Sequence, residues 1–238
     1  MTRIDNRQNN QLRPVSFIPN YTQHAEGSVL VKTGNTWVLC NASIEEGAPR
    51  WREESGGGWL TAEYNMLPRS THQRIPRRRG HDSSRSREIQ RLIGRSLRAA
   101  FDLDKLGPYT ITIDSDVLQA DGGTRTASIT GGYVAAAMAI RHLVDTQGVS
   151  DAVFLPAVAA ISVGIVDDRP MLDLCYEEDS AAEVDLNVVM TAEGKFIEIQ
   201  GTAEGQPFDQ DALLAMLDLA KLGITSLLDE QKLVIDKA

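Results

Sequence analysis

The sequence predicts an α+β protein in which helices cover mixed sheets in two related halves. Three observations predict it. Residues 109–117 alternate apolar and polar side chains with β-branched Ile and Thr, as a half-buried strand does. Residues 127–144 are Ala-rich and spaced for a helix. Two pairs of β-rich runs, 27–31 with 36–44 and 186–190 with 195–201, flank Lys32-Thr33-Gly34-Asn35 and Thr191-Ala192-Glu193-Gly194, which read as hairpin turns.

In chain order, residues 1–20 are polar and irregular, carry Arg3, Arg7 and Arg13, and read as a loosely held end. After the first hairpin, 48–58 reads as a loop with Pro49 and three consecutive glycines, and 59–64 resumes alternation. Residues 69–84, broken by Pro68, Pro76 and Gly80, read as a mobile loop. A helix follows, with Ile89, Leu92, Ile93, Leu97, Ala100 and Phe101 as its core stripe and Arg87, Arg91, Arg95 and Arg98 on or beside its wet faces. Beyond the central strand and helix, Gly131-Gly132 and Ala135-Ala136-Ala137 permit close packing. Residues 157–166 read as a buried strand, Asp167-Asp168 as a turn and 171–176 as the return strand. Asp209 can cap a last helix that buries Ala212, Leu213, Met216, Leu217, Leu219 and Ala220 and breaks near Gly223.

The 238 residues are 42% hydrophobic and 24% charged, ordinary for a globular chain that can bury a sizeable core. A net charge of −9 excludes a uniformly basic nucleic-acid coat, so a polyanionic partner must meet a local patch. Such a patch exists. From Arg69 to Arg98 ten arginines face only Asp82 and Glu88, a local balance of +8 that suits phosphate-backbone contacts without sequence preference. Cys40 and Cys175 sit in apolar runs without metal-ligand spacing, and read as buried free thiols. Neither a signal peptide nor a run of transmembrane length is present, so a reducing cytoplasm is the expected setting and no membrane partner is expected.

Two motifs carry chemistry. Gly122-Gly123-Thr124-Arg125 must turn the chain from strand into helix. Backbone N–H groups, a hydroxyl and a guanidinium then converge on the positive end of the helix dipole, an oxyanion pocket. It is not a Walker loop, because the Gly-Lys-Ser/Thr ending is absent. Glu177, Glu178, Asp179, Glu183 and Asp185 follow an apolar run. If that segment is extended, Asp179 and Asp185 share a face, and such a pair can hold Mg²⁺ with water and substrate phosphate filling the remaining positions. Phosphate donors, an Arg-rich loop and an acidic pair together suit the attack of inorganic phosphate on a phosphodiester, with Arg85 and Arg125 as bidentate phosphate grips.

Seven blocks in order then resemble the ribonuclease PH family of phosphate-dependent exoribonucleases. They are Asn10-Gln11-Leu12-Arg13-Pro14-Val15, His24-Ala25-Glu26-Gly27-Ser28-Val29-Leu30, Met66-Leu67-Pro68-Arg69-Ser70-Thr71-His72, Glu88-Ile89-Gln90-Arg91-Leu92-Ile93-Gly94-Arg95-Ser96, residues 116–130, residues 177–185, and Gln200-Gly201-Thr202-Ala203-Glu204-Gly205. The resemblance implies an RNase PH-type fold as one catalytic domain over 1–238, a homohexamer built as a trimer of dimers, and trimming of tRNA 3′ ends with release of nucleoside diphosphates. It implies phosphate binding by Arg85, Gly123, Thr124 and Arg125, a catalytic group of Asp179, Asp185 and Arg125, Mg²⁺ on the two aspartates, and RNA contacts by Arg69, Arg74 and Arg77. An alternative within the family is an inactive RNA-binding ring subunit of exosome type. Two departures stand out: Ser83-Ser84-Arg85-Ser86 replaces a glycine-containing turn before the long helix, and Asn6 occupies a common glycine position, where Asn tolerates a left-handed turn.

Overall fold

A computed structural model describes residues 3–54, 56–77 and 83–237. Arg78, Arg79, Gly80 and Asp82 of the arginine-rich stretch lie outside the described residues. The first half is a five-stranded sheet of β1 (Val15–Pro19), β2 (Gly27–Thr33), β3 (Thr36–Glu46), β4 (Trp59–Met66) and β5 (Tyr109–Gln119), in the order β1-β2-β3-β5-β4. Its neighbours run antiparallel except β4 and β5, which are parallel. The second half is an antiparallel sheet of β6 (Val158–Val166), β7 (Arg169–Leu172), β8 (Val184–Thr191) and β9 (Phe196–Ala203), in the order β7-β6-β8-β9.

Helices α1 (Arg50–Glu53), α2 (Ser84–Arg98), α3 (Thr124–Gln147), α4 (Tyr176–Ala181) and α5 (Gln210–Ile235) complete the chain. The Ala-rich α3 is buried on all sides from Thr126 to Ala137, because β2 and β3 cover one flank and β6 the other, and its last turns reach solvent. Its small residues make that possible: a Cβ on Gly131 would fall 2.7 Å from the Val31 side chain and 2.9 Å from the Cys40 sulfur. Thr130 ties α3 to the second sheet, its hydroxyl donating to the Ala160 carbonyl at 3.1 Å and accepting from the Ala160 N–H at 3.0 Å. The far face of that sheet, with Ile161, Val163, Leu186 and Val188, packs on α5 through Met216, Ala220, Ile224 and Leu227.

Several sequence readings are corrected. The 48–58 loop contains α1. The return strand β7 ends at Leu172, and α4 starts at Tyr176. Helix α5 runs unbroken through Gly223, where the missing side chain admits Leu172 instead of ending the helix. In the described part of the 69–84 loop, the Ile75 N–H donates to the Pro68 carbonyl and the Ala120 N–H to the Ser70 carbonyl, both at 2.8 Å; residues 78–82 lie outside the described residues.

The largest correction concerns the N-terminal segment. It holds strand β1, and Arg3, Arg7 and Arg13 are 5%, 8% and 4% exposed. Arg3 grips Glu178 bidentately at 2.7 and 2.6 Å, and Arg13 grips Asp173 through Nε and Nη2 at 3.0 and 2.6 Å. These ion pairs fix the segment together with Leu12, Val15 and Phe17, which pack on the two apolar clusters, and Asn6 takes the left-handed turn at φ 64° that joins Arg3 to Arg7.

Removing one partner of a buried ion pair strands the other's charge. Glu178 is held below the usual carboxylate range against the cost of its burial, chiefly by Arg3, with Arg7 contributing from 3.6 Å. Arg3→Ala is therefore expected to destabilise the fold by roughly 2–4 kcal/mol, as measured by urea unfolding at pH 7. Unchanged stability would show the pair to be a bystander.

Candidate active site

The polar end of β5 runs into Gly122-Gly123 at the start of α3, and both glycines are left-handed, with φ 71° and 65°. Gly122 has no room for a side chain, since a Cβ would lie 2.4 Å from the Leu174 carbonyl oxygen. Gly123 is the N-cap of α3, has no side chain to cap it, and no acid stands in the first turn. The first N–H groups of α3 are thus left for an outside acceptor, at the positive end of the helix. The Thr124 hydroxyl lies 2.9 Å from the Tyr64 phenol. Tyr64 is held neutral by burial, which raises its pKa.

Opposite this turn stands one face of the second sheet. Antiparallel register sets Ser162 opposite Asn187 and Asn187 opposite Gln200, with Asp185 opposite Gly164 and Thr202 in the adjoining row. Along β6 and β8 this face is apolar where α3 covers it, at Val158, Ala160 and Val189, and turns polar past the start of α3. Asp179 reaches the same place from α4. The extended-segment reading is corrected: a single helical turn followed by a bend into β8 brings the two aspartates together.

These surfaces enclose a cavity of about 1570 Å³. Arg69, Arg85, Gly123, Thr124, Arg125, Asp179 and Asp185 all line it. Arg74 and Arg77 do not; both are exposed on the adjoining loop. Arg85 projects from the first turn of α2, where Ser83 caps the helix by accepting from the Ser86 N–H at 3.0 Å. Ser84, where the family pattern carries its glycine, is the first residue of α2 and is not among the residues with positive φ, so the turn makes no demand for glycine there and Arg85 stays on the cavity wall. Arg125 donates to Gln200 at 3.0 Å and approaches Glu88 at 3.6 Å.

Electrostatics mark the same spot. Burial, then the neighbouring Asp179 charge, pushes the Asp185 carboxyl up to about 6, against the pull of Arg125. Burial also raises Asp179, while Arg125, Arg85 and Arg13 oppose the rise. Among the described residues, five buried side-chain polar atoms have no hydrogen-bond partner, and three of them, on Ser70, Ser162 and Asp185, belong to residues of this wall. Buried polar atoms are normally satisfied, so this concentration points to a ligand's polar groups. No set of three His, Cys, Asp or Glu converges among the described residues. A divalent ion would have two protein carboxylates, Asp179 and Asp185, one with an unpartnered oxygen; that donor set fits Mg²⁺, which commonly keeps waters and substrate phosphate oxygens.

Sequence reading missed Tyr64, Arg13, Ser162, Asn187 and Gln200. Asn187, two residues beyond Asp185, and Ser162, a lone hydroxyl inside an apolar strand, were detectable by period-two placement. Arg13 and Tyr64 were not, because only the tertiary fold brings them here.

Residues 11–141 match the 3′ exoribonuclease family, domain 1, and residues 157–223 match domain 2 of the same family. Among solved structures, rice (Oryza sativa) Rrp46 superposes with a TM-score of 0.79 at 18% identity, covering 98% of this chain and 100% of that one. The Archaeoglobus fulgidus exosome with RNA bound to the active site gives 0.81 at 24% identity, covering 96% and 92%. An archaeal exosome core gives 0.78 at 23%, covering 97% and 91%. At these identities the superpositions establish the RNase PH-type α+β fold.

A carboxyl raised by folding is a cost to the native state once ionised. The Asp185 cost is absent below the unfolded value of 3.8, grows through about 6 and is complete above it. In metal-free protein Asp185→Asn should therefore raise stability by roughly 1–2 kcal/mol at pH 8, after allowance for solvent screening, and by nothing near pH 4. Thermal melts in EDTA across that range test it; a gain independent of pH would assign the effect to packing instead.

Proposed function

The chain belongs to the 3′ exoribonuclease family, and within it we propose a phosphorolytic enzyme that shortens RNA from the 3′ end, with tRNA 3′ ends as substrate. The observation that carries this reading is the single cavity wall shared by an uncapped helix start, two guanidinium groups and two carboxylates. Hydrolysis needs no anion site for its nucleophile; phosphorolysis does.

Inorganic phosphate lies at the Gly123 turn, accepting from the N–H groups that open α3 and from the Thr124 hydroxyl, with Arg85 and Arg125 offsetting its repulsion from the RNA phosphate. A phosphate oxygen attacks the terminal phosphodiester phosphorus, the bond to the penultimate 3′ oxygen breaks, that oxygen takes up a proton, and a nucleoside diphosphate leaves. The reverse sequence adds a nucleotide. Asp179 and Asp185 would hold Mg²⁺, which when bound supplies neutralising charge at the scissile phosphate and departing oxygen. Arg69 and the exposed Arg74 and Arg77 guide the RNA backbone to the cavity through sequence-independent contacts.

The preferred assembly is a homohexameric ring of three dimers. A second reading, an RNA-binding ring subunit without activity, is favoured by one observation: the solved structures that superpose on this chain include an exosome, an exosome core and rice Rrp46.

One assay separates the two. Incubated with Mg²⁺ and a 3′-extended tRNA, the protein should release nucleoside diphosphates only when inorganic phosphate is present, and Arg125→Ala should lower that rate at least 100-fold while retaining RNA binding. Trimming to monophosphates without phosphate would identify a hydrolase, and binding without any release would favour the inactive subunit.

A further inference from the structure

We propose that the Ser162 hydroxyl is a further ligand of the inorganic phosphate, contributed across the cavity by the second sheet; this rests on the phosphorolytic reading above. Ser162 is 2% exposed, lines the cavity, and its oxygen has no hydrogen-bond partner among the described residues. It lies beside the anion site, since a Cβ built on Gly123 would come within 3.6 Å of that oxygen. Its neighbours are otherwise spoken for. Asn187, directly opposite, turns its amide toward Asp185 at 3.4 Å, and Gln200 in the same row is engaged by Arg125 and Glu88.

The position is fixed rather than incidental. The Ser162 carbonyl accepts from the Asp173 N–H at 2.8 Å, so the backbone that carries the hydroxyl is tied to the loop whose carboxylate holds Arg13. On the sheet lattice Ser162 is diagonal to Asp185, about 7–8 Å between Cα atoms. A hydroxyl there faces the anion's side of the cavity, with the carboxylate pair next to it. Burying an unpaired hydroxyl destabilises a protein, and a charged phosphate oxygen is the acceptor that relieves it. The helix start supplies donors from the first half, and Ser162 supplies one from the second, so that phosphate bridges the two.

Ser162→Ala removes the donor and almost no volume. Metal-free, phosphate-free variant is expected to melt at or above the wild-type temperature, because an unsatisfied polar atom is gone. Inorganic phosphate titrated by calorimetry and by its stabilisation of the melt should bind about tenfold more weakly, as expected for one hydrogen bond to a charged acceptor. In the trimming assay the KM for phosphate should rise by a similar factor, with the KM for RNA within twofold of wild type. Wild-type phosphate affinity in the variant would overturn the proposal, and so would a rise confined to the KM for RNA, which would give the hydroxyl to the RNA's own phosphate. Phosphate binding is read without turnover, so the two claims fail separately: a wild-type protein that binds phosphate Ser162-dependently yet releases no diphosphate would sink the functional reading and leave this one standing. A wild type indifferent to millimolar phosphate would sink both.

Discussion

The contact on which the site depends is the buried pair of Arg13 and Asp173. The Arg13 guanidinium spans from the Asp173 carboxylate to the Asp121 carbonyl at the head of the glycine turn. Asp173 meanwhile accepts from the Arg13 backbone N–H at 2.8 Å and sits in a left-handed conformation at φ 56°. A non-glycine residue holds that conformation when its surroundings over-determine it. Three parts of the chain, the N-terminal segment, the turn before α3 and the loop before α4, thereby share one rigid junction. Asp121 reinforces it from the other side by accepting the Tyr176 N–H at 3.0 Å, which fastens the start of α4 to the anion turn.

That junction explains how like charges are held together. Asp179 and Asp185 repel, as do Arg85 and Arg125, and left alone each pair would turn to solvent. The scaffold prevents this chiefly by fixing the backbones, with Gln200 and Glu88 also holding the Arg125 guanidinium. Asp185 leaves a central strand, Asp179 leaves a helix fastened at Asp121, Arg125 leaves the second residue of a buried helix, and Arg85 leaves the capped start of α2. The resulting penalties, a carboxyl raised to about 6 and buried oxygens without partners, are local to the cavity and are offset by the apolar packing around α3. Clustered perturbed groups of this kind characterise sites built for charged ligands.

Much of this was legible in the sequence because the signals were local. Alternation and apolar runs located every strand but β1, Ala and Gly content located the buried helix, and Gly122-Gly123 before it read as a turn with free N–H groups. The acidic run flagged the two aspartates that line the cavity but with the wrong geometry, since a six-residue spacing fits a strand face as readily as a short helix and a bend. The N-terminal arginines were misread as part of a loosely held end because their partners lie 160 residues or more along the chain, at Asp173 and Glu178, and no periodicity links charges that far apart. Tyr64 was hidden for the opposite reason: an aromatic in an alternating strand is core by default, and only its contact with Thr124 shows a second duty.

The arrangement also bears on whether such a chain acts or only binds. A subunit that merely holds RNA needs a basic, solvated surface, and the exposed Arg74 and Arg77 already give one at little cost. Nothing in RNA binding calls for two carboxylates held in the cavity wall, since such charges would repel a polyanion there and weaken the fold at neutral pH. Carboxylates and guanidinium groups on one wall make sense when two anions must meet at a cation: in the proposed reaction the guanidinium side would receive the attacking phosphate and the carboxylate side the ion that shields the scissile one. The cost of the acidic pair is thus an argument for chemistry at this cavity over passive RNA capture.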